Sequence, residues 1–203
     1  MQIIFLLIEK IPGRTNKKMN ALETILKRKS IPLMSDPKPS SKELKQIYKA
    51  GLRAPDHCSL KPWKFIEISG EDRKKLSNIF VKVTKKTKKN PSKLLLKKMK
   101  NAPFRAPLII VIVANIIKNN KVPKIEQILS AGAAAQNIML AAFSFGYYSI
   151  WRTGHLAFNK HINKEFKLNE SDEVIGFLYI GSSDKKIPKI KPLQLNKYVK
   201  KLG

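Results

Sequence analysis

Arg53-Ala54-Pro55-Asp56-His57-Cys58-Ser59-Leu60-Lys61-Pro62-Trp63, running on into Lys64-Phe65-Ile66-Glu67-Ile68, is the stretch on which the reading of the chain turns. Pro55 and Pro62 each lack a backbone donor and fix φ, so this segment cannot be a helix interior. From Trp63 the residues alternate apolar and polar, the pattern of a half-buried strand. Upstream, Ser40 or Ser41 caps a helix over about Lys42–Leu52, with Leu44, Ile47, Tyr48 and Leu52 on one face. A helix therefore ends near Arg53, a rigid polar loop follows, and a strand starts at Trp63. Such a loop carrying Arg, His and Ser suits ligand binding, and a plain connector fits the same residues.

Further out, the pattern alternates between helices and strands. Asn20, with Glu23 three residues on, caps a helix over Ala21–Lys27 that ends in the basic turn Arg28-Lys29-Ser30. Beyond Ser69, Asp72–Val83 is amphipathic. Lys82–Lys100 is Lys-rich and broken at Asn90-Pro91, which predicts two solvated helices and a loop, a flap over a pocket. A second proline-bounded loop, Asn101–Pro107, feeds Leu108–Ala114, seven apolar residues that read as a strand buried on both faces. Glu126–Gly146 is apolar nearly all round and reads as a buried helix. Strands follow at Tyr147–Trp151, leading into a turn at Arg152-Thr153-Gly154, and at Glu173–Gly181, with a short helix over Asn159–Phe166 between them. The Lys- and Pro-rich residues 181–203 predict a tail on the surface or across a partner. Residues 1–18 carry an apolar run too short to span a bilayer and no cleavage-site pattern. They read as an extension outside the core, with Met19 as the natural start and residues 19–203 as one domain.

The composition narrows the function. The formal net charge is +27 over 203 residues, and six of the 41 basic residues are Arg. An electrostatic footprint for nucleic acid is one reading. A Lys-for-Arg excess spread over the surface, without interleaved aromatics, favours a coding bias instead. Either way the surface attracts anionic phosphate ligands. A single cysteine excludes an internal disulfide and a cysteine metal cluster, and a reducing cytoplasm is the simplest setting. The sequence has no Gly-rich phosphate loop, nucleophile elbow or metal-ligand spacing. His155 and His161 read as ordinary polar residues, and Cys58 as a plain loop thiol.

Ala21-Leu22-Glu23 with Arg28-Lys29-Ser30, Arg53–His57 with Pro62-Trp63, Asn101–Ile109, Ser130-Ala131-Gly132 through Ile150–Gly154, and Val174–Gly181 occur in this order. Together they resemble the small FMN-dependent nitroreductases, in particular the YdjA-type NAD(P)H nitroreductases. The resemblance implies an α+β fold with a central mixed sheet flanked by helices, and an intertwined homodimer with FMN at its interface. It implies that Arg28, Lys29 and Ser30 hold FMN, the bases serving its phosphate. Arg53 and His57 approach the flavin from the other subunit, and Trp151, Arg152 and Thr153 lie beside the isoalloxazine ring. Ala141, Ala142, Phe143, Ser144, Phe145 and Gly146 match a segment assigned to NAD(P). The implied activity is ping-pong hydride transfer from NADH or NADPH through flavin N5 to a nitro compound, quinone or similar acceptor, without membrane or specific nucleic acid. Relatives often have Arg where this chain has Lys29, Gln for Lys61 and Ser for Thr153. A basic nucleic-acid-binding protein without catalysis, or a flavin binder with little turnover, are the alternatives.

Overall fold

The computed structural model describes residues 19–118, 121–184, 190 and 192–202. The expectations for residues 1–18 lie outside the described residues, as does part of the tail. Among the described residues six α-helices and four strands follow in the order α1 (Ala21–Lys27), α2 (Ser41–Gly51), β1 (Trp63–Ser69), α3 (Asp72–Thr87), α4 (Lys93–Asn101), β2 (Leu108–Ala114), α5 (Lys124–Ser144), β3 (Tyr148–Arg152), α6 (Lys160–Glu165) and β4 (Glu173–Gly181). Both early helices start as their sequences dictate. Asn20 with Glu23, and Ser40 with Glu43, form reciprocal capping boxes, each cap contributing about 1 kcal/mol.

The sheet order is β1-β2-β4-β3, and every neighbouring pair is antiparallel. The parallel component expected of a mixed sheet reduces, among the described residues, to one isolated bridge, Ser30 to Ser149. The physical reason is local: each strand of the sheet lies beside one that runs back against it, whereas residues 30–35 form only a strap beside β3.

β2 explains the layering. All seven of its residues are buried, and a side-chain period of two sends them to opposite faces. Leu108, Ile110 and Ile112 meet α2 and α5 through Leu44, Ile47, Ala134 and Ile138. Ile109, Val111 and Val113 meet the α3–α4–α6 side through Leu76, Phe80, Val83, Met99 and Ile162. Burying each such side chain stabilises the fold by about 1.5–3 kcal/mol, an upper figure. α5 begins two residues before the expected Glu126, because Pro123 occupies its N-cap.

α1 and α5 touch, yet they leave Leu22, Ile25 and Leu26 of the first and Ile125 and Leu129 of the second more than half exposed. Among the described residues no helix is long and apolar enough to cross a membrane.

Candidate functional site

On the α3–α4 side of the sheet a cavity of about 520 Å³ opens between α4 and the ends of β3 and β4. Phe80, Ile150, Phe177 and Tyr179 supply its apolar surface; Lys98, Arg105, Arg152 and His155 supply its polar groups, and none of its lining residues is acidic. That volume lies within the range of small-molecule sites.

β3 sets one wall. Its period of two separates Trp151 from Arg152. Trp151 packs toward the α5 layer, where its Nε1 donates to the Ile175 carbonyl at 3.2 Å. The β2–β4 register shifts there, between Ile112 and Val113. Gly176 makes the fit, since a Cβ on it would stand 1.9 Å from Trp151 Nε1. Arg152 goes the other way and stacks over the Tyr179 ring at 5.6 Å. The turn expected at Arg152-Thr153-Gly154 starts one residue later, because Arg152 still pairs with Phe177 as the last residue of β3. Thr153 and Gly154, both exposed, form the rim.

A strap made by residues 30–35 ties this wall to the loop before β2. The Ile31 amide donates to the Ser149 carbonyl at 3.2 Å, the Met34 amide to the Arg105 carbonyl at 2.9 Å, and Ser35 and Ser182 exchange bonds at 2.9 and 2.8 Å. In return Arg105 Nε and Arg152 Nη2 both donate to the Pro32 carbonyl, at 3.0 and 3.2 Å. Burial and the neighbouring Arg105 charge lower the Arg152 pKa. Burial pushes the Tyr179 phenol up to about 12, against the pull of both arginines, so it stays protonated. His155 Nε2 lies 2.9 Å from Thr84 Oγ1, and the hydroxyl spends its proton on the Phe80 carbonyl at 2.7 Å, so the imidazole donates to it. Burial, then Lys88 and Lys98, hold the His155 pKa below its ordinary value. His155 is thus a cavity residue rather than the bystander its sequence suggested.

The residues singled out from the sequence fall into four groups. Trp151, Arg152 and Thr153 line the cavity. Arg28, Lys29 and Ser30 lead into the strap against β3, and Arg28 Nη1 is buried without a hydrogen-bond partner. Arg53 and His57 are not brought to the cavity of the same protomer. Both are exposed, and His57 Nδ1 lies 2.8 Å from Glu126 at the start of α5. Ala141, Ala142, Phe143, Ser144, Phe145 and Gly146 close α5 and turn the chain, Gly146 at φ 85°, also outside the cavity lining. The sequence does not mark Lys98, Asn101 and Arg105 as site residues; for Asn101 and Arg105 the local signal is two prolines beside a fully apolar strand. Cys58 is exposed. Among the described residues no cluster of three or more His, Cys, Asp or Glu could hold a metal.

The cavity, apolar with a cationic rim, lies on an antiparallel sheet between helices, and the chain is an α+β protein. Residues 25–182 match the nitroreductase family. The chain is 40% identical over 164 residues to the protein named "Putative NAD(P)H nitroreductase YdjA" of Escherichia coli K12, covering 81% of this chain and 88% of that one. Among solved structures, a nitroreductase-like family protein from Bacillus cereus superposes with a TM-score of 0.77 at 21% identity, covering 93% and 99% of the two chains. An FMN-dependent nitroreductase from Clostridium difficile R20291 does so with 0.67 at 27%, covering 90% and 99%. This chain belongs to the nitroreductase family and is an oxidoreductase.

Proposed function

We propose that the protein is an FMN-dependent NAD(P)H oxidoreductase that reduces a nitro compound, quinone or similar acceptor. One observation carries the reading: the cavity joins an apolar floor to Lys98, Arg105 and Arg152 without an acidic lining residue. FMN fits that chemistry, with a flat ring for the Phe80–Phe177 surface and negative charge for the rim. The buried, partnerless Nε of Arg152 is a donor awaiting an acceptor, since a buried unmatched N–H is costly. The names of relatives point the same way, one to NAD(P)H and one to FMN.

In this reading FMN, when bound, supplies the two-electron chemistry, accepting hydride from NADH or NADPH and passing it on. The chain's residues do the rest. Trp151, locked against Gly176, fixes the rim formed by Thr153 and Gly154. The basic turn Arg28–Ser30 neutralises phosphate. Lys98 and Arg152 favour negative charge on the bound ring, by a few kcal/mol at most near a protein surface. The Ala141–Gly146 turn belongs to the proposal as an outer nicotinamide contact, with Ser144 its exposed hydroxyl.

The proposal includes a homodimer. The exposed apolar residues of α1 and α5 give it a face, and a second copy is the means by which Arg53 and His57 reach a flavin that their own cavity does not show them. Colour is the test. Purified protein reconstituted with FMN is expected to show a bound-flavin band that anaerobic NADPH or NADH bleaches; protein that stays colourless with excess FMN removes the reading.

A further inference from the structure

Arg105 and Arg152 converge on a single neutral acceptor, the Pro32 carbonyl. Neither guanidinium has an acidic partner among the described residues. Arg152 spends Nη2 on Pro32 and leaves Nε buried and unmatched. Arg105 spends Nε there, and its two terminal nitrogens have no protein hydrogen bond among the described residues. Two like charges side by side, part buried, each with spare donors, form an arrangement that an oxyanion completes. A guanidinium presents paired N–H groups that match the oxygens of a phosphate or carboxylate. The only phenol beneath them, Tyr179, stays protonated and cannot serve as counter-ion. The neighbouring Lys98 adds a third cation to the same cavity.

We infer that the Arg105–Arg152 pair is an oxyanion-binding subsite of the cavity, distinct from the basic turn Arg28–Ser30, whose residues do not line that cavity. Its ligand is the carboxylate of an anionic electron acceptor, since the flavin phosphate is already given to the basic turn Arg28–Ser30. The inference rests on the flavin reading, and it makes Arg105, which the sequence passes over, a binding residue.

Fluorescence titrations of apoprotein with FMN and with riboflavin, which lacks the phosphate, tell an acceptor site from a flavin-phosphate site. They are paired with steady-state reduction of 4-nitrobenzoate and of neutral 4-nitrobenzyl alcohol. If the pair holds the flavin phosphate instead, Arg105→Gln raises the FMN Kd about tenfold or more and leaves the riboflavin Kd unchanged, which overturns the acceptor assignment. If it holds the acceptor, both flavin Kd values stay put. The KM for 4-nitrobenzoate then rises about tenfold, while kcat and the KM for the alcohol hold. Arg105→Lys, which keeps the charge and loses the fork, falls between wild type and Arg105→Gln in whichever arm responds, and carries the same comparison should Arg105→Gln fail to fold. Equal weakening of FMN and riboflavin, or no change in either arm, overturns the subsite and leaves the flavin reading standing. Wild-type protein that binds neither flavin takes both away.

Discussion

The loop Arg53–Pro62 and the loop Asn101–Pro107 are built alike. Each follows a helix, carries a proline near either end, includes an arginine and opens into a strand, and the two strands, β1 and β2, are neighbours paired from Trp63↔Ala114 to Ser69↔Leu108. Because that pairing is antiparallel, the loops enter the sheet from opposite ends. The second is pinned: Pro103 is buried, residues 102–105 form a 3-10 turn, and Arg105 bonds the strap through both its carbonyl and its Nε. The first is taut and exposed. Cys58, Ser59 and Lys61 all sit at positive φ, a conformation costing non-glycine residues about 1 kcal/mol or more each, held by the Asp56 carboxylate on the Lys61 amide at 2.6 Å. Similar sequence grammar has produced a fixed wall of a cavity in one place and a strained outward arm in the other. Strain kept at an exposed loop suits an arm that meets a ligand on a second subunit.

The largest effect tests the wall. Gly176→Ala puts a methyl into the Trp151 indole, so it is expected to destabilise the protein by about 1–3 kcal/mol through overpacking and to abolish FMN retention. Thermal unfolding and flavin absorbance read both; a variant that keeps its flavin stoichiometry would show that the Trp151–Gly154 rim is not part of the site.

The arm is tested by sharing. Arg53→Ala alone should weaken FMN by about 1.5–3 kcal/mol, the worth of a charge-assisted hydrogen bond. Co-refolding it with Gly176→Ala chains should restore about a quarter of the wild-type flavin sites, because random pairing makes half the dimers mixed and each mixed dimer carries one intact site. Absence of recovery would mean that the arm of one subunit and the Trp151 wall of another do not serve one flavin.

The smallest effect concerns the tether of the arm. Glu126→Gln removes the charge facing His57 across an exposed pair, and exposed pairs contribute about 0.2–1 kcal/mol. Denaturant unfolding should therefore shift by no more than that, while the exchange of loop amides near His57 quickens. A larger loss of stability would mark the arm as a structural element like its counterpart.

The contrast also shows what a sequence can disclose. α1, β1, β2 and β4 were legible to the residue because caps, alternation and a seven-residue apolar run are local signals. The amphipathic Asp72–Val83 and the first of the two lysine-rich helices expected beyond it are one helix, α3, because nothing between Val83 and Thr87 breaks the backbone. Trp151–Thr153 could be placed at the site only through resemblance. Arg105 could not be weighed at all: its importance comes from a strap and a strand end that the fold carries to it from distant parts of the chain. Cys58, chemically conspicuous in the sequence, is an exposed thiol on a strained turn.

The strap at residues 30–35 has a consequence for the order in which the molecule becomes competent. Its partners, Ser149 and Ser182, lie far along the chain, so its contacts are the kind whose loop-closure entropy must be met before they contribute, and such contacts form late. The sheet and its two cores can assemble on β1, β2 and β4 before the strap settles across Arg105 and Arg152. In the flavin reading proposed above, cofactor capture then belongs to the last stage of folding, and the amides of Ile31, Met34 and Ser35 become the clock by which the ripening of the site can be followed.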